Sequence, residues 1–490
     1  MSKNKEYFIK RGNSEYEVII GLEVHAQVLS KSKLFSDSPT NFGAEPNTQV
    51  SLVDAAFPGM LPVINEFCIK QAVKTGIGLN AAINKKSIFD RKNYFYADLP
   101  KGYQITQDKT PICNGGYIEI SDKNDNPKKI NITRIHMEED AGKSIHDLDP
   151  FHSLVDLNRA GVPLVEIVSE PEIRSSDEAY QYLNEVRKLV RYLDICDGNM
   201  EEGSLRCDAN ISVRLKGVEK FGTKVEVKNM NSSRNVKNAI DFEIKRQIQL
   251  LENGEEIVHE TRGFNAANGE TLSQRHKEEA NDYRYFPEPD LQPIIVTQEY
   301  INKVKNSLPP LPNELLEKFT KQYKLSHYDA NIIVEDKKTA LYFNELCKHT
   351  PNFKTAANLM NGVIKSYLNE NAKSIDEINL KPDRIAELIK LIDENKISNS
   401  VATSKIFPVL INSSLSAEQI AIDNNWIQES NADTLTDLID EVIKKYPEKV
   451  KEYQSGKKGL IGLFVGEVMK LSKGKADPRI TNELIRKKLD

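Results

Sequence analysis

The sequence predicts an α+β protein in which a largely antiparallel sheet is followed by helices. Between Tyr16 and about Val296, short runs that alternate apolar and polar residues are separated by Gly and Asn turns, as in antiparallel strands. After the proline-rich segment 308–312 the chain becomes rich in Lys, Glu, Leu and Ile at helical spacing. At 490 residues the chain is too long for a single core, so several domains are expected.

Individual elements follow from their periodicity. Residues 117–120, 209–214 and 224–228 alternate between two faces and therefore predict strands. Over residues 176–193, apolar side chains recur every three or four positions behind a polar start at Ser175, which predicts a capped amphipathic helix. The first part of the chain is therefore a mixture of strands and helices.

Proline and serine clusters divide the chain into three predicted domains. These are a mixed α/β domain over 1–300, an all-α domain over 301–412 and a small α-helical tail domain over 413–490. Within the tail, helices are predicted over 416–424, over 435–445 and after Pro478.

Composition excludes several classes of protein. With 39% hydrophobic residues and no apolar run near the roughly 20 residues that span a bilayer, no membrane segment is expected. The N-terminus has neither a secretory nor an organellar targeting pattern, so a cytoplasmic location is predicted. The five cysteines form no Cys-x-x-Cys pair, which argues against a disulfide framework and against a thiolate zinc site, and they are predicted to be reduced and buried.

The segment Gly21-Leu22-Glu23-Val24-His25-Ala26 carries the strongest chemical signal. In a strand, Leu22 and Val24 face one side while Glu23 and His25 face the other, next to an apolar run over 18–20. A carboxylate and an imidazole on one face indicate a metal or phosphate site. A solvated sheet face explains the same pattern for an isolated Glu-x-His.

A second acidic cluster, Glu138-Glu139-Asp140, lies within residues 133–144. Three consecutive carboxylates repel one another unless cations lie among them, and Mg²⁺ is the simplest such cation. The following Gly142-Lys143-Ser144 is not a P-loop, because that motif requires glycine where this chain has Met137.

The chain resembles the B subunits of the bacterial aspartyl/glutamyl-tRNA(Asn/Gln) amidotransferases, and the likeness covers nearly its whole length. The shared motifs are IGLEVHAQ (20–27), FGAEPN (42–47), FDRKNYFY (89–96), GYQI (102–105), TRIHMEEDAGK (133–143), NRAGVPL (158–164), LRCDAN (205–210), EVKN (226–229) and DYRYFPEPD (282–290). Their order along the chain makes a chance match implausible.

The resemblance implies a kinase-like cradle domain, then the helical domain, then a tail that contacts tRNA. It implies ATP and Mg²⁺ as cofactors, and ATP-dependent phosphorylation of the side-chain carboxylate of Glu on tRNA(Gln) or Asp on tRNA(Asn). Ammonia from a separate amidase subunit then displaces the phosphate. The implied partners are that amidase, which acts as a glutaminase, a small clamping subunit and the tRNA. The chain lacks an amidase signature of its own.

Candidate residues follow from this chemistry, because a phosphoryl transfer needs metal ligands and cations. The predicted metal ligands are Glu23, His25, Glu138, Glu139 and Glu226, and the predicted catalytic residues are Glu138, Glu139, Arg206 and Lys228. Asp208 and Asn229 are predicted to bind the cofactor, with Asp208 also a secondary metal candidate. Arg206 and Lys228 equally fit exposed strand charges.

Two further segments predict contacts with tRNA. Residues 90–96 interleave cations with aromatic rings, which suits an unpaired acceptor end, and Arg91, Lys92 and Tyr94 are the residues chosen there. Core packing equally explains the rings. The last 40 residues carry ten Lys/Arg against five Asp/Glu, a balance of +5. The predicted phosphate contacts of this tail are Lys457, Lys458, Lys473, Lys475 and Arg479. A solvated helical face is the alternative explanation.

The chain departs from its relatives in one place. Many relatives carry four zinc-binding cysteines where this sequence has Ser36, Ser38, Ser51 and Asp54. Hydroxyls are poor zinc ligands, so no zinc is expected, and the segment 35–57 is predicted to be held by packing alone. Two alternative functions stay open: a non-catalytic tRNA-binding scaffold in the same kind of complex, and a ligase that acts on a free amino acid.

Overall fold

The computed structural model describes residues 8–121, 126–276, 283–428, 432–472 and 475–489. The chain divides into two compact units, Met1–Leu311 and Pro312–Asp490.

The first unit contains eighteen strands among its described residues. They are β1 (Phe8–Arg11), β2 (Ser14–Gln27), β3 (Ala82–Ile83), β4 (Lys86–Ser87), β5 (Asp90–Asn93), β6 (Tyr103–Thr106), β7 (Cys113–Asn114), β8 (Tyr117–Ser121), β9 (Pro127–Glu139), β10 (Lys143–Ile145), β11 (Leu154–Asp156), β12 (Pro163–Ser169), β13 (Leu205–Leu215), β14 (Val225–Lys228), β15 (Glu260–Asn265), β16 (Glu270–His276), β17 (Phe286–Pro287) and β18 (Ile294–Ile295). Its helices are α1 (Glu66–Gly78), α2 (Ser176–Tyr192), α3 (Ser233–Glu252) and α4 (Gln298–Asn306).

Most of these strands form one large sheet with the order β16-β15-β14-β13-β2-β12-β9-β7-β3. Strand β1 also pairs with β2, and β8 pairs with β9. Among the described strands of this sheet, β14 and β15 run parallel and the other pairs are antiparallel. Strand β2 therefore lies near the middle, between β13 and β12. Strands β17, β5 and β6 form a separate small sheet.

One face of the large sheet builds the core of the first unit. Five side chains of β2 are each at most 1% exposed: Val18, Ile20, Leu22, Val24 and Ala26. Helix α2 packs on β2 and β8, and α3 packs on β13. Helix α2 begins where the Ser175 side chain accepts a hydrogen bond from the Glu178 amide, as its sequence predicts. Because the helices cover this apolar face, the polar residues of the same strands lie on the opposite face.

The second unit is helical in its described residues. Its helices are α5 (Pro312–Glu317), α6 (His327–Val334), α7 (Lys337–His349), α8 (Phe353–Leu359), α9 (Lys365–Glu370), α10 (Pro382–Asp393), α11 (Asn399–Val401), α12 (Phe407–Asn412), α13 (Ala417–Asp423), α14 (Ala432–Lys445), α15 (Pro447–Gln454), α16 (Ile461–Leu471) and α17 (Pro478–Leu489). Short 3₁₀ and π turns join some of them. Leu435, Phe464 and Ile485 contribute to one buried apolar cluster of α14, α16 and α17.

The predicted α+β class is confirmed, including the mainly antiparallel sheet and the helical C-terminal region. Helix α13 packs against α10, on the other side of the boundary predicted at residue 412. That boundary and the one at residue 300 stay predictions. In the described parts of the chain, none of the helices has both the length and the apolar character that crossing a membrane requires. All five cysteines are buried, free thiols.

Candidate active site

The central strands assemble a polar row on the face away from the helices. His25 on β2 lies opposite Glu166 on β12 and opposite Arg206 on β13, while Glu23 lies opposite Asp208. Residues that are directly opposite in neighbouring strands place their side chains on the same face. The register therefore brings together carboxylates that are far apart in sequence.

The first cluster consists of His25, Glu138, Glu166 and His136. His25 Nε2 lies 3.6 Å from a Glu138 oxygen and 3.3 Å from Glu166 Oε2, and His136 Nε2 lies 3.0 Å from the same Glu166 oxygen. The potential ligand atoms of His25, Glu138 and Glu166 all lie within 4.8 Å of one another. The Thr106 hydroxyl donates to Glu138 at 3.2 Å.

The negative charges of the Glu138 and Glu166 carboxylates favour the binding of a cation in this cluster. Burial lowers the pKa of His25, but the nearby carboxylates of Glu166, Glu138 and Asp208 outweigh burial and raise the pKa to about 9. Burial acts to raise the pKa of Glu166, yet the imidazoles of His136 and His25 lower it well below its ordinary value. The Glu138 and Glu166 carboxylates therefore concentrate negative charge around the His25 imidazole.

The second cluster consists of Glu23, Asp208 and Glu226, with Lys228 beside them. The three carboxylates offer oxygens within 4.8 Å of one another. Lys228 Nζ lies 2.6 Å from Asp208 and 3.4 Å from Glu226. Although burial lowers the pKa of Lys228, these carboxylates raise it above its ordinary value. The Asn210 amide donates to Glu23 at 2.8 Å and so orients that carboxylate.

Two adjoining cavities open onto the polar row. The first, of about 600 Å³, includes Arg206, Asn229 and Met230 in its lining. The second, of about 640 Å³, is lined by both carboxylate clusters and by several tyrosines. Five residues line both cavities: His25, Lys92, Glu138, Asp208 and Lys228. We call these five residues the shared wall. The arrangement provides space for two ligands that meet beside the metal-binding groups.

The predicted site residues do not all converge. Six of them do lie together in the two clusters: Glu23, His25, Glu138, Asp208, Glu226 and Lys228. Glu139 shares its strand face with the buried Met137, and its carboxylate accepts hydrogen bonds from Lys101 Nζ at 2.6 Å and from the Ile105 amide at 2.9 Å. The adjacent acids Glu138 and Glu139 thus point to opposite sides of β9, and only Glu138 joins the cluster.

The remaining candidates Arg206, Asn229 and Arg91 differ in their positions and partners. Arg206 lines the first cavity and donates to Asp140 at 2.7 Å. Asn229 lines the same cavity with a φ of 65°, a left-handed conformation that Asn tolerates better than most residues. Arg91 makes two hydrogen bonds to the buried Glu288, at 2.6 and 2.7 Å.

Two family models match most of the chain. The model described as the GatB/GatE catalytic domain matches residues 18–302. The model described as the GatB domain matches residues 341–489. The chain belongs to the GatB/GatE family. The matched catalytic domain contains both carboxylate clusters, and the resemblance inferred from the sequence motifs is confirmed.

Curated relatives of this GatB/GatE chain are similar over their full length. The B subunit of the aspartyl/glutamyl-tRNA(Asn/Gln) amidotransferase of Pelagibacter ubique (strain HTCC1062) is 52% identical over 489 residues, which is 99% of each chain. The protein of the same name from Rickettsia bellii (strain RML369-C) is 50% identical over 482 residues, which is 98% of this chain and 99% of the relative.

Sequence reasoning missed two members of the first cluster of this GatB/GatE chain, Glu166 and His136. A signal was present for each. Glu166 is the one charged residue in the mainly apolar strand Pro163–Ser169, where a buried carboxylate needs a partner. His136 lies two positions before Glu138 on β9, and therefore on the same face. In addition, His136 Nδ1 is buried and has no hydrogen-bond partner among the described residues.

The loop that contains Ser36, Ser51 and Asp54 is held by a buried ion pair. Lys33 is 0% exposed, and its ammonium lies 3.1 Å from Asp54. The same carboxylate accepts hydrogen bonds from the Ser36 hydroxyl at 2.9 Å and from the Ser51 amide at 2.8 Å. The prediction that packing alone holds this segment is therefore wrong, because a lysine cation cross-links it through one aspartate.

The described tail candidates lie in the second unit: Lys457 and Lys475 outside regular structure, Lys458 in a 3₁₀ turn and Arg479 on α17. Lys457 pairs with Glu452 at 3.0 Å, and Arg479 approaches Glu483 at 3.6 Å. The Lys458 ammonium lies 4.3 Å from the centre of the Tyr453 ring. Lys475 is half-buried, and Lys473 lies outside the described residues. Surface pairs of this kind are weak and can be exchanged for phosphate contacts at little cost.

Proposed function

We propose that this chain is the ATP-dependent kinase and amidotransferase subunit of a tRNA-dependent amidotransferase complex. Its substrates are Glu on tRNA(Gln), Asp on tRNA(Asn) or both, which it converts to Gln and Asn. What supports this function most directly is the convergence of two carboxylate clusters on one wall shared by two cavities. Activation of a carboxylate by a nucleotide needs such a meeting point, because two anionic substrates must come together beside neutralising charge.

The reaction comprises two transfers. An oxygen of the substrate's side-chain carboxylate attacks the γ-phosphorus of ATP, the bond from that phosphorus to the bridging oxygen breaks, and ADP leaves with the electron pair. The nitrogen of ammonia then attacks the carbonyl carbon, and the bond from carbon to the phosphate oxygen breaks. Phosphate leaves and takes up the proton that nitrogen loses, so that an amide is formed. The first transfer converts a poor leaving group into a good one.

The two clusters fit divalent metals, although to different degrees. Glu23, Asp208 and Glu226 offer only oxygen ligands, the set that Mg²⁺ prefers. The first cluster adds an imidazole, which is more typical of transition-metal sites than of Mg²⁺. A bound ion would neutralise negative charge on the phosphoryl oxygens. Lys228 and Asn210 would hold the carboxylates in position, and Arg206, beside the first cavity, would attract the anionic substrate.

The amide donor must come from elsewhere, because this sequence lacks an amidase signature. The proposed partners are therefore an amidase subunit that releases ammonia from glutamine, a small clamping subunit and the tRNA. Both relatives described above are named as a single subunit of a tRNA amidotransferase, which supports such an assembly.

Replacing Glu138 by Gln in the assembled complex tests the kinase assignment. Since Gln keeps the shape of the side chain and removes its charge, tRNA-dependent ADP release should fall about 10²-fold. Glutaminase activity and tRNA binding should remain within twofold. Glu119→Gln, an exposed change on the neighbouring strand β8, is the matched control. Unchanged ADP release in the Glu138 variant would favour the scaffold function instead.

Charge reversal on the tail tests its contact with tRNA. Lys475→Glu combined with Arg479→Glu should raise the KM for tRNA at least tenfold and leave kcat nearly unchanged, because phosphate contacts position the tRNA without taking part in the chemistry. The dependence of log KM on log salt should become shallower by roughly two, or about 0.9 for each phosphate that the variant no longer neutralises. Lys365→Glu, at an exposed lysine of α9, is the control. Equal KM values would contradict the tail assignment.

A further inference from the structure

The shared wall contains two lysines, and they differ in their partners. Lys228 is bound to Asp208 and Glu226 of the second cluster. For Lys92, the ion pairs and hydrogen bonds of the described residues include none to its ammonium. Of the two lysines at the boundary between the cavities, Lys92 is therefore the one whose ammonium makes no ion pair with a described residue.

Aromatic rings, rather than carboxylates, hold the Lys92 side chain. Its ammonium lies 5.0 Å from the centre of the Tyr283 ring and 5.7 Å from that of Tyr94. These two rings contact each other edge to face, at 6.2 Å between centres. Ring faces attract a cation but do not use up its hydrogen-bond donors. The three N–H groups of Lys92 consequently remain available to a ligand in the cavities.

Lys92 also keeps its charge in this position. Burial lowers the pKa of Lys92, but Glu138, Tyr285 and Glu166 outweigh burial and raise the pKa above its ordinary value. Other cations nearby are paired: Arg91 with Glu288, Lys101 with Glu139, and Arg206 with Asp140. Arg134 and the exposed Lys224 show no carboxylate partner among the described residues, but both line the second cavity and not the first.

We infer that Lys92 is a catalytic residue that binds the phosphoryl group while it passes from the nucleotide in one cavity to the substrate carboxylate in the other. This inference rests on the proposed function and assigns a transition-state contact within it. The transferred group carries three oxygens with spread negative charge, and an ammonium that is already desolvated and makes no ion pair with a described residue stabilises that charge without rearrangement. The role differs from the contact with the acceptor end of tRNA that the sequence predicts for Lys92.

The test uses single-turnover kinetics of the complete complex at saturating tRNA and ATP, with ammonia and glutamine left out. Lys92→Met keeps the stem on the tyrosine rings and removes the charge. The rate of ADP formation should fall about 10²-fold or more, while glutaminase activity and the Kd for tRNA stay within twofold. Lys92→Arg should recover part of the loss, because it restores a cation at the same place. Lys109→Met, at an exposed lysine of the segment after β6, is the control.

The outcomes separate this inference from the proposed function. If the wild-type complex forms no ADP when tRNA(Gln) carrying Glu or tRNA(Asn) carrying Asp is added, the proposed function itself fails. If the wild type forms ADP and Lys92→Met forms it equally fast, only the role of Lys92 is overturned. A raised KM for tRNA with an unchanged single-turnover rate at saturation would overturn the phosphoryl role in favour of tRNA contact.

Discussion

In the assembled complex, Glu166→Gln is expected to lower tRNA-dependent ADP formation by about 10³-fold. Glu166 joins the two imidazoles of the first cluster, at 3.3 Å from His25 and 3.0 Å from His136. Gln has nearly the same shape but no charge, so it cannot hold a metal or two imidazoles in the same way. We expect a larger effect than for Glu138→Gln, because Glu166 lies closer to both histidines than Glu138, whose oxygens are 3.6 Å from His25 and 3.9 Å from His136.

Metal affinity provides a readout of Glu166 that does not depend on turnover. Titration of the complex with Mn²⁺, followed by electron paramagnetic resonance, should show at least tenfold weaker binding at one site in the variant. Glu170→Gln is the matched control, since Glu170 follows the same strand, accepts a hydrogen bond from Thr133 at 2.9 Å and lines neither cavity. Unchanged Mn²⁺ affinity together with unchanged ADP formation would remove Glu166 from the site.

The alternation of β2 was predictable because it is a local property. Glu23 and His25 alternate with Leu22 and Val24 along the strand, so the side chains of the two pairs lie on opposite faces. The same alternation along β9 places the side chains of Glu138 and Glu139 on opposite faces, so only one of them can join the cluster. Sequence could not say which one, because the choice depends on how β9 pairs with β12.

Long-range partners could not be predicted in this way. Arg91 pairs with Glu288, a residue almost 200 positions later, and Lys33 pairs with Asp54 across a loop without regular structure. No periodic pattern in the sequence indicates that such residues are in contact. Lys92 illustrates the consequence: its interleaving with aromatic residues suggested stacking on nucleotides, whereas its lack of a carboxylate partner is visible only when its surroundings are known.

Lys33→Met is expected to lower the free energy of unfolding by about 3–5 kcal/mol. The change leaves the Asp54 carboxylate buried without its counter-ion, and the remaining donors, Ser36 and the Ser51 amide, cannot neutralise it. Burial lowers the pKa of Lys33, which indicates that the pair is costly to desolvate even when intact. The pair therefore matters less for the energy it adds than for the energy lost when one partner is removed.

Hydrogen exchange measured on the full chain locates this effect, because a change in melting temperature alone does not identify the segment that opens. The amides of Leu34, Ser51 and Val63, which donate to Gly161, Asp54 and Phe35, should exchange at least 100-fold faster in Lys33→Met. Adding Asp54→Asn should restore part of the protection, since it removes the uncompensated charge. Lys31→Met, at an exposed lysine two positions earlier, should change neither the melting temperature nor the exchange rates. Equal exchange in Lys33→Met and wild type would mean that packing holds the loop after all.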